Sequence, residues 1–412
     1  MKKTVIMLIM TVLLAGCAAI CAVFSVRADG NAPSAAKSLC AYARNADGDS
    51  DDIPDSIDDL LDKLDLSDVQ SLVDALSETQ ISVFGFSDIK ERIRAVANGD
   101  YAGDFGSVLS YVFALFGADI FEYLPMLFAI IAIAIAYNLL NSVKGRYASE
   151  SIERVVYFAT GTLAVSLIVG YFSSLLGVAV RFVGSMKTQI NAVAPVLITL
   201  MTATGASASA GVYSPAVAIL GGAMTNAVTY FAFPALLMAM VFDVIGSVST
   251  GIKLEKTAEF FRSACKWLLG TAFFLFIAVI GVTGITASVR DGISMRAARF
   301  AVSKYVPVIG GYLSQGFDFI MAGNVLIKNA LGSGVVLLIA LGAAPVISKL
   351  VIFTLTLKLT AAIAEPLGGD RFSGILTSVS KSSSMIATVV IAMTFLYIIF
   401  ISMTICTGNI GL

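Results

Sequence analysis

From Asn191 to Val289 the sequence holds apolar runs that follow one another with only short charged breaks. A water-soluble core does not bury runs of this length, and left in water they would form apolar patches far beyond those a soluble monomer exposes. A hydrocarbon layer about 30 Å thick calls for about 20 apolar residues per helix. Six stretches meet that demand: 120–140, 155–180, 226–248, 267–289, 334–357 and 385–405. Charged residues make up 13% of the chain, against about 25% in soluble domains. The deficit fits a surface that faces lipid. The expected fold is therefore all-α, a polytopic helical membrane protein.

Shorter apolar pieces lie between the long ones. Residues 192–204 and 212–224 flank the small-residue sequence GASASAG at 205–211. Residues 300–321 carry Pro307, Gly310, Gly311 and Gly316, and residues 105–116 form another short run. Irregular backbone at membrane depth must be buried in protein or face water. These pieces are expected as re-entrant, interfacial or broken helices.

Residues 1–28 read as a signal peptide, with Lys2 and Lys3 ahead of an apolar core. Three outcomes remain open for it: cleavage after Ala28, lipidation at Cys17 within LAGC, or an uncleaved anchor. Residues 29–100 carry sixteen Asp or Glu against six Lys or Arg and form an acidic segment, expected outside the cytoplasm, with short amphipathic helices from Ile57 onward. The spacing of Asp47, Asp49 and Asp51 resembles a calcium loop. It lacks the Gly at the sixth position and the Glu at the twelfth, and reads as a solvated acidic surface. Residues 101–412 form the transmembrane domain.

The helix breakers recur. Gly103 precedes Pro125 by 22 residues, Gly211 precedes Pro234 by 23, and Gly323 precedes Pro345 by 22. After each Pro an apolar span leads to a charged loop and a second span. The pattern predicts a threefold internal repeat of about 110 residues. With the acidic segment outside, the loops at 144–154 and 253–266 face the cytoplasm. They carry net charges of +1 and +2, in the sense of the positive-inside bias. Against this stand Arg181, Lys187, Arg290, Arg296, Arg299 and Lys304, which fall outside; the last four read as an amphipathic basic helix at the headgroups.

Nothing in the sequence calls for catalysis. There is no His, so the usual general base near neutral pH is missing. The five Cys have neither zinc-site nor disulfide-framework spacing. Nucleotide, acyl-transfer and metalloprotease motifs do not occur. No catalytic residue, metal or cofactor is expected, and a net charge of -1 gives no basis for a nucleic-acid partner. The functional candidates are structural. Gly205, Ser207, Ser209, Gly211 and Pro215 can line a pore or form a close helix seam, and Pro234 and Pro345 mark interrupted spans. Asp243 and Lys349 are ionisable residues inside apolar spans, where charge is costly and tied to function. A proton or ion relay requires those two to face each other. The competing reading has Lys349 snorkelling and Asp243 capping a helix end.

The stretches APVLITLMTATGASASAGVYSP (194–215), KNALGSG (328–334), KLTAAIAEPLGG (358–369) and SDIKERIRAVANGD (87–100) resemble the stage III sporulation protein AE family of endospore-forming Firmicutes. The resemblance runs from about residue 84 to the C-terminus, and the LAGC box departs from it. It implies a non-enzymatic multipass protein of the mother-cell membrane that surrounds the forespore. Its implied partners are the other stage III sporulation membrane proteins and, through them, a forespore membrane protein. Together these form a channel-like complex that supports forespore development. Without the resemblance, a stand-alone secondary transporter with a path near Gly205 to Pro215 is the alternative.

The orientation is directly testable. A membrane-impermeant lysine reagent is expected to reach Lys256 only in inside-out vesicles; labelling from outside reverses the topology.

Overall fold

A computed structural model describes residues 61–62, 64–98, 105–143, 150–248, 254–305, 310–368 and 370–407. The signal peptide, Cys17, Ala28, the acidic run around Asp47 and Pro307 lie outside the described residues. Three short helices come first: α1 (Ser67–Asp74), α2 (Glu78–Phe84) and α3 (Ile89–Asn98). Long helices follow: α4 (Phe105–Val143), α5 (Glu150–Ala203), α6 (Ser207–Ala218), α7 (Phe233–Val248), α8 (Glu255–Tyr305), α9 (Gly310–Gly368) and α10 (Asp370–Cys406). Helices α6 and α7 form one continuous rod. Between them run two π-helical stretches, Ile219–Met224 and Val228–Ala232, on either side of the short α-helical Thr225–Ala227.

Among the described residues six helical stretches are long and apolar enough to cross a bilayer: Gly106–Leu139, Phe158–Ala203, Ser207–Gly246, Glu255–Ala298, Gly323–Pro366 and Ser373–Cys406. The protein is all-α and polytopic. The short apolar pieces are not separate elements. Residues 105–116 begin α4, 192–203 end α5, and 212–224 belong to the α6–α7 rod. The sequence 300–321 divides between the end of α8 and the start of α9. Proline stays inside these helices at Pro125, Pro195, Pro215 and Pro345. Lipid makes an open backbone costly, so the helices continue through these prolines instead of ending at them.

The elements pair as hairpins in chain order: α4 with α5, the α6–α7 rod with α8, and α9 with α10. The last hairpin is the most enclosed. Phe353, Leu357, Val389, Val390, Met393 and Tyr397 are all fully buried. Helix α8 is the outermost, with Trp267, Phe274, Val282 and Ile285 turned outward. Aromatic rings join the hairpins. Tyr123 lies 5.4 Å from Phe353 and 6.2 Å from Tyr171, and Phe400 lies 5.8 Å from Tyr213 and 6.2 Å from Phe276, measured between centroids. Edge and tilted contacts of this kind add about 0.5–1.5 kcal/mol each beyond simple burial.

The short helices have local causes. Ser77 and Gln80 form a capping box at the start of α2, and Gly85 ends it at φ 86°. The Gln70 side chain then joins α1 to the start of α3, donating to Ser87 O at 2.8 Å and accepting from Ile89 N at 2.9 Å. Lys90 donates to Asp62 at 2.9 Å, and that hydrogen bond, followed by the ammonium charge, holds Asp62 below the usual carboxylate range. The pair is solvated, so it adds little stability.

Arg92 anchors this module. It is 1% exposed, donates to Phe84 O at 2.5 Å, and stacks over the Phe84 ring at 4.2 Å. A Cβ at Gly334 would lie 3.2 Å from Arg92 Nε, so a side chain at residue 334 would press on the seated arginine. Gly334→Val is expected to unseat α3. Limited proteolysis of the full-length protein in detergent should then cut within residues 61–98 about fivefold faster, a shift of ~1 kcal/mol. An unchanged rate would show that the notch is not needed.

Candidate functional site

The GASASAG sequence forms a break between two helices. Helix α5 closes with Gly205 N donating to Thr202 O at 3.0 Å and Ala206 N donating to Met201 O at 2.9 Å. This is a Schellman ending, which needs a left-handed residue at its turn. Gly205 supplies it at φ 77°. A Cβ there would also strike Met295 of α8, whose Cε lies 2.0 Å from the position.

Helix α6 then starts with Ala206 at its N-cap, which has no capping side chain. The cap comes from α8. Asp291 accepts from Ala208 N at 2.8 Å and from Ser209 N at 2.9 Å. These are the amides a local Ser or Asp cap would serve, and a carboxylate also complements the positive end of the helix. Small residues let α8 come this close. One turn on, Tyr213 Oη lies 3.1 Å from where a Cβ of Gly284 would stand.

The other small-residue candidates divide by exposure. Ser207 is exposed at the first turn of α6, and Gly211, Pro215 and Pro234 face outward. Ser209 is fully buried, and among the described residues its hydroxyl has no hydrogen-bond partner; the same holds for the Ser288 hydroxyl on α8. Pro345 is half-buried on α9. It has no N–H, so the carbonyl of Leu341 one turn earlier loses its helical donor. Gln80 of α2 takes that place, donating to Leu341 O at 3.0 Å.

The structure does not bring Asp243 and Lys349 together. Asp243 accepts from Arg262 of α8 in a pair whose side chains are almost fully enclosed, and Arg262 also reaches Ser382 of α10 at 3.4 Å. Beside them Thr354 and Ser383 join α9 to α10 at 2.8 Å. Lys349 donates to Glu122 of α4 at 2.7 Å, with both groups partly exposed. One turn away Ser348 donates to the buried Asp119. Asp243 and Lys349 thus each meet a partner of opposite charge on another helix, Arg262 of α8 and Glu122 of α4.

Sequence reasoning missed Asp291, Arg262, Asp119 and the environment of Lys328. Asp291 was hidden in a stretch dominated by Arg290 and Arg296. Lys328 is fully buried and donates to Thr407 O at 2.5 Å, at the end of α10. Its position beside the glycines of GSG was the available signal. Among the described residues no three His, Cys, Asp or Glu side chains form a metal-binding group.

Six bilayer-length helices among the described residues, a break capped from a neighbouring helix and an enclosed charge pair define a polytopic helical membrane protein. The family model for stage III sporulation protein AE matches residues 87–408, and the chain belongs to that family. It is 24% identical over 314 residues to stage III sporulation protein AE of Bacillus subtilis (strain 168), covering 76% of this chain and 78% of the relative. No solved structure matches it.

Removing one partner of a buried ion pair typically costs about 3–5 kcal/mol, because the other charge stays enclosed. Asp243→Ala is expected to lower thermal stability in detergent by that order. The double variant Asp243→Ala with Arg262→Leu should recover most of it. If the double variant is as unstable as the single one, the pair is not what holds α7 to α8.

Proposed function

We propose that this chain is a non-enzymatic multipass component of the channel-like sporulation complex between mother cell and forespore, and that it is required for forespore development. It sits in the mother-cell membrane surrounding the forespore, with its acidic N-terminal segment on the extracytoplasmic side. Its partners are other stage III sporulation membrane proteins, and through them a forespore membrane protein; lipid covers the remaining surface. The match of the family model across 87–408 carries this reading, and the six candidate spans agree with it.

The threefold repeat of about 110 residues belongs to the same proposal. The recurring breaker spacing motivates it, with Pro125, Pro234 and Pro345 each falling in the first of two consecutive long helices. Within this reading Gly205 and Ser209 belong to a packing seam against α8, and Ser207, Gly211 and Pro215 lie on the outward face of the same break. Asp243 and Lys349 act as fixed members of ion pairs.

A tagged full-length chain, produced during sporulation in an endospore-forming bacterium and taken from its solubilised membranes, should bring down other stage III sporulation membrane proteins. Deleting the gene in its own host should block development of the forespore. A chain that purifies alone and moves a solute across proteoliposomes without partners would overturn the reading in favour of a stand-alone transporter.

A further inference from the structure

Two buried charges stand at one end of the bundle, on successive helices, and each serves the end of a different helix. Asp291 of α8 holds the free amides at the start of α6. Lys328 of α9 donates to the Thr407 carbonyl just past α10. The two ends are themselves tied: Tyr213, one turn into α6 from Ser209, shares a hydrogen bond of 2.9 Å with the Thr407 hydroxyl. The network thus runs from Asp291 through the first turns of α6 to Tyr213, Thr407 and Lys328. The signs are complementary, an anion at a helix N-terminus and a cation at a C-terminus.

The stretches of α8 after Asp291 and of α9 before Lys328 are together termed an arm. Beyond Asp291, α8 continues to Tyr305, and α9 begins at Gly310, ahead of Lys328. Met295 on this arm touches the space at Gly205. Any displacement of the arm therefore acts on the helix break itself.

We propose that Asp291 and Lys328 are paired positioning residues, a clamp that keeps the break at Gly205 closed while the α8–α9 arm is seated. Breaking either half loosens the first turn of α6 and admits solvent to Ser209. The inference concerns the bundle alone and does not rest on the sporulation complex, so failure of the co-purification above would leave it standing.

The test uses the full-length protein in detergent, with its five native cysteines replaced by Ala and a single Cys placed at Ser209, read by its rate of maleimide labelling. A Cys at the exposed Ser207 serves as control. Hydrogen bonds to charged groups are worth enough to shift a local opening equilibrium by roughly tenfold or more. Asp291→Asn is expected to raise labelling at position 209 at least about tenfold, with position 207 unchanged. Asp291→Glu should restore a rate close to the parent. Lys328→Met should also raise labelling at 209, acting through Thr407 and Tyr213. The double variant should label no faster than the faster single one, because coupled residues are not additive. Unchanged labelling in folded Asp291→Asn overturns the clamp, as does a double variant whose effect is the product of the two singles. If Asp291→Asn does not fold, Lys328→Met decides alone: faster labelling at 209 supports the clamp and an unchanged rate overturns it.

Discussion

A chain that crosses lipid has no water to take up backbone groups that a helix leaves unpaired, and each such group costs several kcal/mol if nothing meets it. Three of the backbone openings in this bundle are met by side chains from distant parts of the sequence. The amides freed at Gly205 go to Asp291. The carbonyl freed by Pro345 goes to Gln80. A carbonyl at the end of α10 goes to Lys328. In each case the repair is also a tertiary contact, so local irregularity and global packing are the same interaction. This is why the breakers that punctuate the sequence leave the architecture intact.

The Gln80 contact shows how far this coupling reaches. Helix α2 is polar and amphipathic, and nothing in its composition ties it to a membrane span. Yet it donates to α9 at the carbonyl that Pro345 releases, and Arg92 of α3 enters the gap left by Gly334 on the same helix. The N-terminal module is therefore seated by two features of α9 that a sequence reading would list as defects, a proline and a glycine. Neither would offer a seat in an unbroken apolar helix, whose carbonyls are all occupied and whose surface is covered by side chains.

The membrane class was legible, as were long apolar helices matching the six candidate spans among the described residues, because length and hydropathy answer directly to bilayer thickness. Which helices are central was not. Helices α8 and α9 look alike in apolar content, yet α9 is largely buried and α8 faces outward. In lipid, an apolar side chain is equally at home against protein or against an acyl chain, so the contrast that reveals a soluble core is lost. The charge partners were illegible for a related reason. Asp243 and Lys349 stood out as ionisable residues in apolar runs. Arg262 and Glu122 did not: the first lay in a charged loop segment and the second near the start of a span. Pairing was set by helix depth, which the sequence does not state.

The π-helical stretch adds a second reason. At 3.6 residues per turn, Tyr213 and Thr225 would stand roughly 120° apart around the helix and could not both face α10. A π stretch takes up about one extra residue, or roughly 100° of rotation, and Ile219–Met224 lies between them. The result is that Tyr213 reaches Thr407 at 2.9 Å while Thr225 reaches Tyr397 at 3.0 Å. Gly221 within this stretch lies close against α5, where a Cβ would stand 3.0 Å from Ile190 and 3.3 Å from Asn191, and the wider winding holds one polar face of the rod toward the central hairpin.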